Sequence, residues 1–176
     1  KTFLAIYLAT LLKQKTLIIV HTSVLLDQWI DRISYFVPDA KIGKVKGKVY
    51  DVEGKDFVIA MLQTIGSESR GYTSKTFTDF GVTIYDEAHH ISSECFSKVL
   101  FKVVTPYTLG LSATWVREDK TQYVIEHVLG KICYNWIDSD IFEVEVRCYL
   151  YESPNDAEYN KIIYGYNDKP QYSSMI

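Results

Sequence analysis

Cysteine is scarce in this chain of 176 residues. Three are present, Cys95, Cys133 and Cys148, odd in number, widely spaced and without a CxxC pair. That pattern argues against a disulfide framework and against a cysteine zinc site, and favours reduced thiols inside a cell. Long apolar runs are missing too. The most hydrophobic stretches, such as TLIIV at 16–20, are far too short to cross a bilayer, so no membrane partner is expected. The opening KTFLAIYLATLL has helical spacing and no small-residue cleavage site, which does not read as a secretory signal. An excess of positive charge is also absent. Lys and Arg number 19 against 22 Asp and Glu, a net charge of −3, which excludes a strongly basic nucleic-acid mat but leaves room for a local basic groove. There are no internal repeats and no low-complexity segment.

What is present is a hydrophobic content of 47%, enough for one domain with a full core. Apolar residues Phe3, Leu4, Ile6, Tyr7, Leu8, Leu11 and Leu12 recur at helical spacing. TLIIV then reads as a buried strand. SVLLDQWIDRISYF (23–36) has a Ser start and a helical stripe through Leu25, Leu26, Trp29, Ile33 and Phe36, and must stop before Pro38. Further strands are expected at KIGKV (41–45), FVIAML (57–62), GVTIYD (81–86) and YTLGLSAT (107–114), with KICYNW and VEVRCYLYE as later candidates. The lysine-rich KVKGKVYDVEGK reads as a solvated basic loop, and GSESRGYTSKTFTD (66–79) as a surface loop or irregular helix. Helices are expected near 92–104, 119–129 and 155–166, with a loose tail after Asn167. Strands alternating with helices predict an α/β fold, a mainly parallel sheet with helices on both faces. Ligands on such sheets sit at the carboxyl ends of the strands. His21-Thr22, Gln63-Thr64, Asp86-Glu87 and Ser112-Ala113-Thr114 each follow a strand, so all should gather on that edge.

Two adjacent carboxylates at the end of a buried strand repel one another unless a cation or proton makes use of them. Asp86 in that place can hold a magnesium ion, and Glu87 can orient or deprotonate an attacking water. The complementary part is a glycine-rich loop ending in Lys and then Ser or Thr at a helix start. The chain opens with Lys1-Thr2, which fits the end of such a loop if the glycines lie upstream in a longer parent. A helix N-terminal acidic pair is the plainer account of Asp86-Glu87. It leaves unexplained the preceding strand and the SAT that follows at 112–114.

The DEAH at 86–89, the SAT at 112–114 and the initial Lys-Thr together resemble superfamily 2 helicases and translocases. HTSVLLDQW (21–29) is similar to their motif Ia, AMLQTI (60–65) to motif Ib, and LGLSATWVRED (109–119) to motif III with its extension. Arg117-Glu118-Asp119 resembles the triplet of XPB-like helicases and their relatives in large DNA viruses and phages. Trp115 stands where many relatives have proline. The resemblance implies a RecA-like P-loop NTPase domain over 1–152, with 153–176 starting a linker toward a second RecA-like domain of the same parent chain. It implies ATP and Mg²⁺ as cofactors, with Lys1 and Thr2 on the phosphates and Thr2 and Asp86 on the metal. Glu87 is the implied base, and His89 the link from the nucleotide to Ser112, Ala113 and Thr114. Thr22, Gln63, Thr64 and Arg117 are implied at the nucleic acid, DNA in the first place and RNA in the second. Transcription or repair machinery, and a nuclear, cytoplasmic or virion location, follow from the same resemblance. With the phosphate-loop glycines and the second domain's arginines outside it, the isolated chain is expected to fold but not to hydrolyse ATP.

A non-catalytic nucleic-acid-binding or scaffold module is the rival reading, and a restriction-type translocase subunit another. An intact Lys1, Asp86 and Glu87 favour the enzyme, since a scaffold needs no base. His89-His90 lacks an HExxH context for zinc. His21 and His127 read as surface or loop histidines. Trp29 and the tyrosines at 149, 151, 159, 164 and 166 read as packing residues rather than base-stacking platforms.

Overall fold

Alternation of buried side chains along the strands shows how the sheet is covered. The computed structural model describes residues 1–90, 94–113 and 122–135. In β1 (Thr16–Val20), Leu17 and Ile19 enter one apolar cluster while Ile18 and Val20 enter the other. In β4 (Phe57–Met61), Val58 and Ala60 join the first, and Phe57 and Ile59 the second. A strand buried on both faces loses the polar alternation of a half-exposed one, which is why TLIIV and FVIAM are apolar throughout. The β-branched residues suit the pleated backbone of such strands.

Six strands form one sheet in the order β3-β2-β4-β1-β5-β6. The strands β2 (Ile42–Lys46), β4, β1, β5 (Val82–Tyr85) and β6 (Tyr107–Gly110) run parallel, and β3 (Val49–Tyr50) pairs antiparallel to β2. The segment expected to be a plain basic loop therefore holds a short hairpin. Gly47, at φ +58, takes the left-handed turn conformation that a side chain disfavours. One face is covered by α1 (Thr2–Leu12) and α2 (Ser23–Phe36), whose Ala5, Ile6, Ala9, Leu26, Trp29 and Ile33 are buried. The other carries α3 (Leu62–Gly66), two 3₁₀ turns at Glu68–Arg70 and Ser74–Phe77, α4 (Glu94–Lys102) and α5 (Gln122–Leu129).

Helix α1 buries Ala5, Ile6 and Ala9 and turns its other large side chains outward. Phe3, Tyr7 and Leu11 are more than half exposed, and Phe3 meets Phe36 of α2 with ring centroids 5.0 Å apart. Ala5 and Ala9, small residues against the sheet, let the helix approach closely. Helix α2 begins one residue earlier in its capping than its Ser start suggests. The Thr22 hydroxyl accepts the Leu25 N–H at 3.3 Å, so Thr22 is the cap and Ser23 the first helical residue. Buried polar groups in the sheet are partnered: Thr16 donates its hydroxyl to the Gln14 carbonyl, and Thr105 donates to the Thr83 hydroxyl at 2.9 Å.

The described part of KICYNW, residues 131–135, forms no strand. These elements all belong to a unit spanning Lys1–Asn135. VEVRCYLYE, the helix expected at 155–166 and the boundary at 152 lie outside the described residues. No helix among the described residues is long and apolar enough to cross a membrane.

Candidate nucleotide site at the carboxyl edge of the sheet

Strand register brings the candidate residues together. Val20 is level with Met61 across β1 and β4, Ile19 with Tyr85 across β1 and β5, and Tyr85 with Gly110 across β5 and β6. The residues that follow, His21, Leu62, Asp86 and Leu111, therefore emerge side by side on one edge. The ladder continues into this edge. Asp86 N–H donates to the Ile19 carbonyl at 3.0 Å, Leu111 N–H to Tyr85 at 2.9 Å, and Ala88 N–H to the Leu111 carbonyl at 2.7 Å. The turn after β5 is thus tied by its backbone to both neighbouring strands.

Asp86 is 7% exposed. Its Oδ1 accepts the Glu87 N–H at 3.0 Å, and its Oδ2 accepts the Trp29 indole N–H at 2.8 Å. A buried carboxylate is costly unless hydrogen-bonded, and these two donors meet that need. Trp29 is accordingly more than the packing residue of the helical stripe. The signal was an indole on the helix facing an Asp at a strand end, since a buried indole N–H seeks an acceptor. Sequence alone does not show which helix face meets which strand.

Glu87 stands at φ +50, the left-handed region that favours glycine, and only it and Lys13 do so among the described non-glycine residues. The sharp turn sends its side chain away from that of Asp86. Glu87 Oε1 lies 3.7 Å from Lys1 Nζ, and Oε2 lies 3.3 Å from His89 Nδ1, within ion-pair range but without hydrogen-bond alignment. His89 Nδ1 is also 3.0 Å from Ser112 Oγ. Lys1, Glu87, His89 and Ser112 therefore form a continuous polar line from the start of α1 to the end of β6.

Thr2 and Asp86 line one open cavity of about 530 Å³, with Trp29, Gln28, Asp31 and Arg32 on its α2 side. No cluster of three or more His, Cys, Asp or Glu suited to a metal exists among the described residues. A threonine hydroxyl and one carboxylate fit magnesium nonetheless. That ion keeps most of its water and is held by one or two protein oxygens together with substrate phosphates, not by a protein cage.

The residues expected at nucleic acid fall in different settings. Gln63 sits at the start of α3, its Nε2 donating to the His21 carbonyl at 2.8 Å, which joins the ends of β4 and β1. Thr64 is turned inward and buried, and its hydroxyl accepts the Gly47 N–H at 3.0 Å. It holds the β2–β3 turn instead of facing outward. Thr22, half-buried, spends its oxygen on the α2 cap and keeps its O–H as a donor. Ala113 is exposed beside Ser112. Thr114 and Arg117 lie outside the described residues.

A parallel sheet wrapped by helices, with this line of residues along its carboxyl edge, is the arrangement of the RecA-like domains of superfamily 2 helicases. A family profile described as "Type III restriction enzyme, res subunit" (ResIII) matches residues 1–117, and the chain belongs to that family. A provisionally named ATP-dependent RNA helicase of Acanthamoeba polyphaga mimivirus is 34% identical over 177 aligned positions, covering 100% of this chain and 34% of the relative. The DNA 3'-5' translocase XPB2 of Sulfurisphaera tokodaii is 31% identical over 134 positions, covering 76% of this chain and 29% of the relative. The chain thus spans about a third of the length of these relatives. Among solved structures, the Hef helicase domain of Pyrococcus furiosus superposes with a TM-score of 0.60 at 19% identity, over 74% of this chain and 31% of that one.

Proposed function

We propose that the full-length protein is an ATP-dependent helicase or translocase acting on DNA, and that Lys1–Asn135 carries its nucleotide site. One observation carries the reading: Asp86, Glu87 and His89 leave a single turn in three directions, toward Trp29, Lys1 and Ser112 respectively. A helix-capping acidic pair needs no such division. Phosphoryl transfer is mostly positioning and electrostatics, and the division places one carboxylate for each task.

Thr2 and Asp86 would hold magnesium, which when bound supplies charge neutralisation on the nucleotide phosphates. Lys1 extends its ammonium toward the same ground, where a phosphate would compete with Glu87 for it. Glu87, with its Oε2 buried against His89 and its Oε1 turned toward Lys1, would orient a water and take its proton. His89 Nδ1, between Glu87 and Ser112, would carry the state of that carboxylate to the end of β6. Thr22 and Gln63 at the neighbouring strand ends would contact backbone phosphates, which fix position without reading sequence. A second RecA-like domain of the same protein would complete the site when the two close.

The reading of DNA as substrate rests on the similarity to a DNA translocase, while the viral relative's name points to RNA. ATP hydrolysis by the full-length protein with duplex DNA, single-stranded DNA and RNA decides it. Stimulation by DNA is expected. Stimulation by RNA alone would overturn the choice of substrate, and no hydrolysis under any condition would favour the scaffold.

A further inference from the structure

We propose that Trp29 is a positioning residue for the Asp86 carboxylate, fixing the direction of the lone pairs that meet the metal; this rests on the reading of Asp86 as a metal-holding group. Each carboxylate oxygen has two lone-pair sites, and in Asp86 each has one of them filled. The two donors differ in what anchors them. The Glu87 N–H belongs to the same turn and moves with it. The Trp29 indole comes from 57 residues away, is 2% exposed, and is packed beside Leu26 and Ile33 between α2 and the sheet. It is a donor only, on a rigid plane, and its burial holds that plane in place. Among the described residues it is the one side chain hydrogen-bonded to Asp86, and no ion pair to Asp86 occurs there.

With Oδ2 held from the α2 side and Oδ1 from the Glu87 side, rotation of the carboxylate about its last bond breaks one bond or both. The remaining lone pairs are therefore fixed relative to the cavity that Asp86 shares with Thr2. Partners of this kind, one step behind a metal-holding group, commonly change metal affinity by about 10–100-fold. A purely structural role would show a different pattern. If Asp86 only satisfied the indole, losing the N–H would lower stability and leave metal affinity alone.

The experiment measures Mn²⁺ binding by electron paramagnetic resonance in the full-length protein with ADP present, and ADP binding with excess chelator. Trp29→Phe keeps an aromatic ring and removes the N–H. It should weaken Mn²⁺ about tenfold and leave metal-free ADP affinity unchanged. Ile33→Val, on the same buried face, should lower the melting temperature and leave Mn²⁺ affinity alone. Unchanged Mn²⁺ affinity in Trp29→Phe, with loss in Asp86→Asn, overturns the proposal and leaves the metal assignment standing. Unchanged affinity in Asp86→Asn removes the metal assignment, and the proposal with it. If Trp29→Phe does not fold, the Trp29 indole ¹H–¹⁵N resonance decides in the otherwise native protein. A shift on adding Mg²⁺ and ADP that is absent in Asp86→Asn supports the proposal, and a resonance indifferent to the metal ends it.

Discussion

His89 Nδ1 lies 3.0 Å from Ser112 Oγ, joining the turn after β5 to the residues after β6 across 23 positions of chain. The backbones are already tied there by the Ala88–Leu111 hydrogen bond, so this side-chain contact is not needed to hold the strands together. It is placed to report on Glu87, whose Oε2 is 3.3 Å from the same nitrogen. In the full-length protein, Ser112→Ala should leave ATP affinity and basal hydrolysis near the native level. Nucleic-acid unwinding per ATP consumed should fall by about fivefold or more, the lower end of typical coupling energies. Parallel assays of hydrolysis and strand separation check this, and equal losses in both would mean that the contact belongs to the chemical step.

Glu87→Gln keeps the shape of the side chain and removes its ability to take a proton. ATP binding should persist, and kcat should fall by about 10²–10⁴, the usual worth of a general base. The Lys1 contact is also weakened, but a partly exposed pair as long as 3.7 Å contributes little. Equilibrium nucleotide binding beside steady-state turnover measures both quantities. A variant with native kcat would remove Glu87 from the mechanism.

These two residues also mark what sequence can and cannot show. Short apolar strands alternating with helices made the parallel sheet legible, and strand ends made the clustering at its carboxyl edge legible. Thr64 shows where that reasoning stops. A hydroxyl after a strand was expected at the surface, but Leu62–Gly66 coils at once into α3 and turns Thr64 inward onto the Gly47 amide. A short helix packed on α4 is a tertiary outcome, held in part by Lys102 Nζ, which donates to the Ile65 carbonyl at 3.1 Å. The hairpin at Val49–Tyr50 was missed because two residues carry no periodicity to read. The Trp29–Asp86 contact was missed because α2's rotation about its axis is decided by packing.

Tyr85, one residue before Asp86, is 1% exposed, and burial raises its phenol pKa above the ordinary value of 10.0. The folded chain therefore keeps this group neutral where the unfolded chain ionises it. The stability it contributes is complete below about pH 10 and is lost as pH rises above that value toward the folded one. Tyr85→Phe should remove part of the alkaline loss. Urea midpoints at about pH 9 and about pH 11 should differ less in the variant than in the native protein. An identical difference in both would show that Tyr85 ionises in the folded state as freely as in the unfolded one.

Gly110 ends β6 two residues before Ser112, directly opposite Tyr85 in the ladder. Its backbone conformation is open to any residue, so the demand for glycine is steric. A Cβ placed there would run into the Leu129 side chain of α5 and would stand 3.1 Å from the Cβ of Ala88. Leu129 can give way through a change of rotamer. Ala88 cannot, because its backbone is fixed by the 2.7 Å bond to the Leu111 carbonyl. Gly110→Ala should therefore push the turn that carries Asp86, Glu87 and His89, at a cost of about 1–3 kcal/mol, the range for overpacking a filled core. Leu129→Ala makes room on one side only. It should cost stability by itself and, combined with Gly110→Ala, should restore at least about 0.5 kcal/mol relative to the sum of the two. Chemical unfolding of the native protein, both single variants and the double variant closes the cycle. Additive losses would show that α5 does not press on Gly110, and a Gly110→Ala variant as stable as the native protein would show that the turn has room to move.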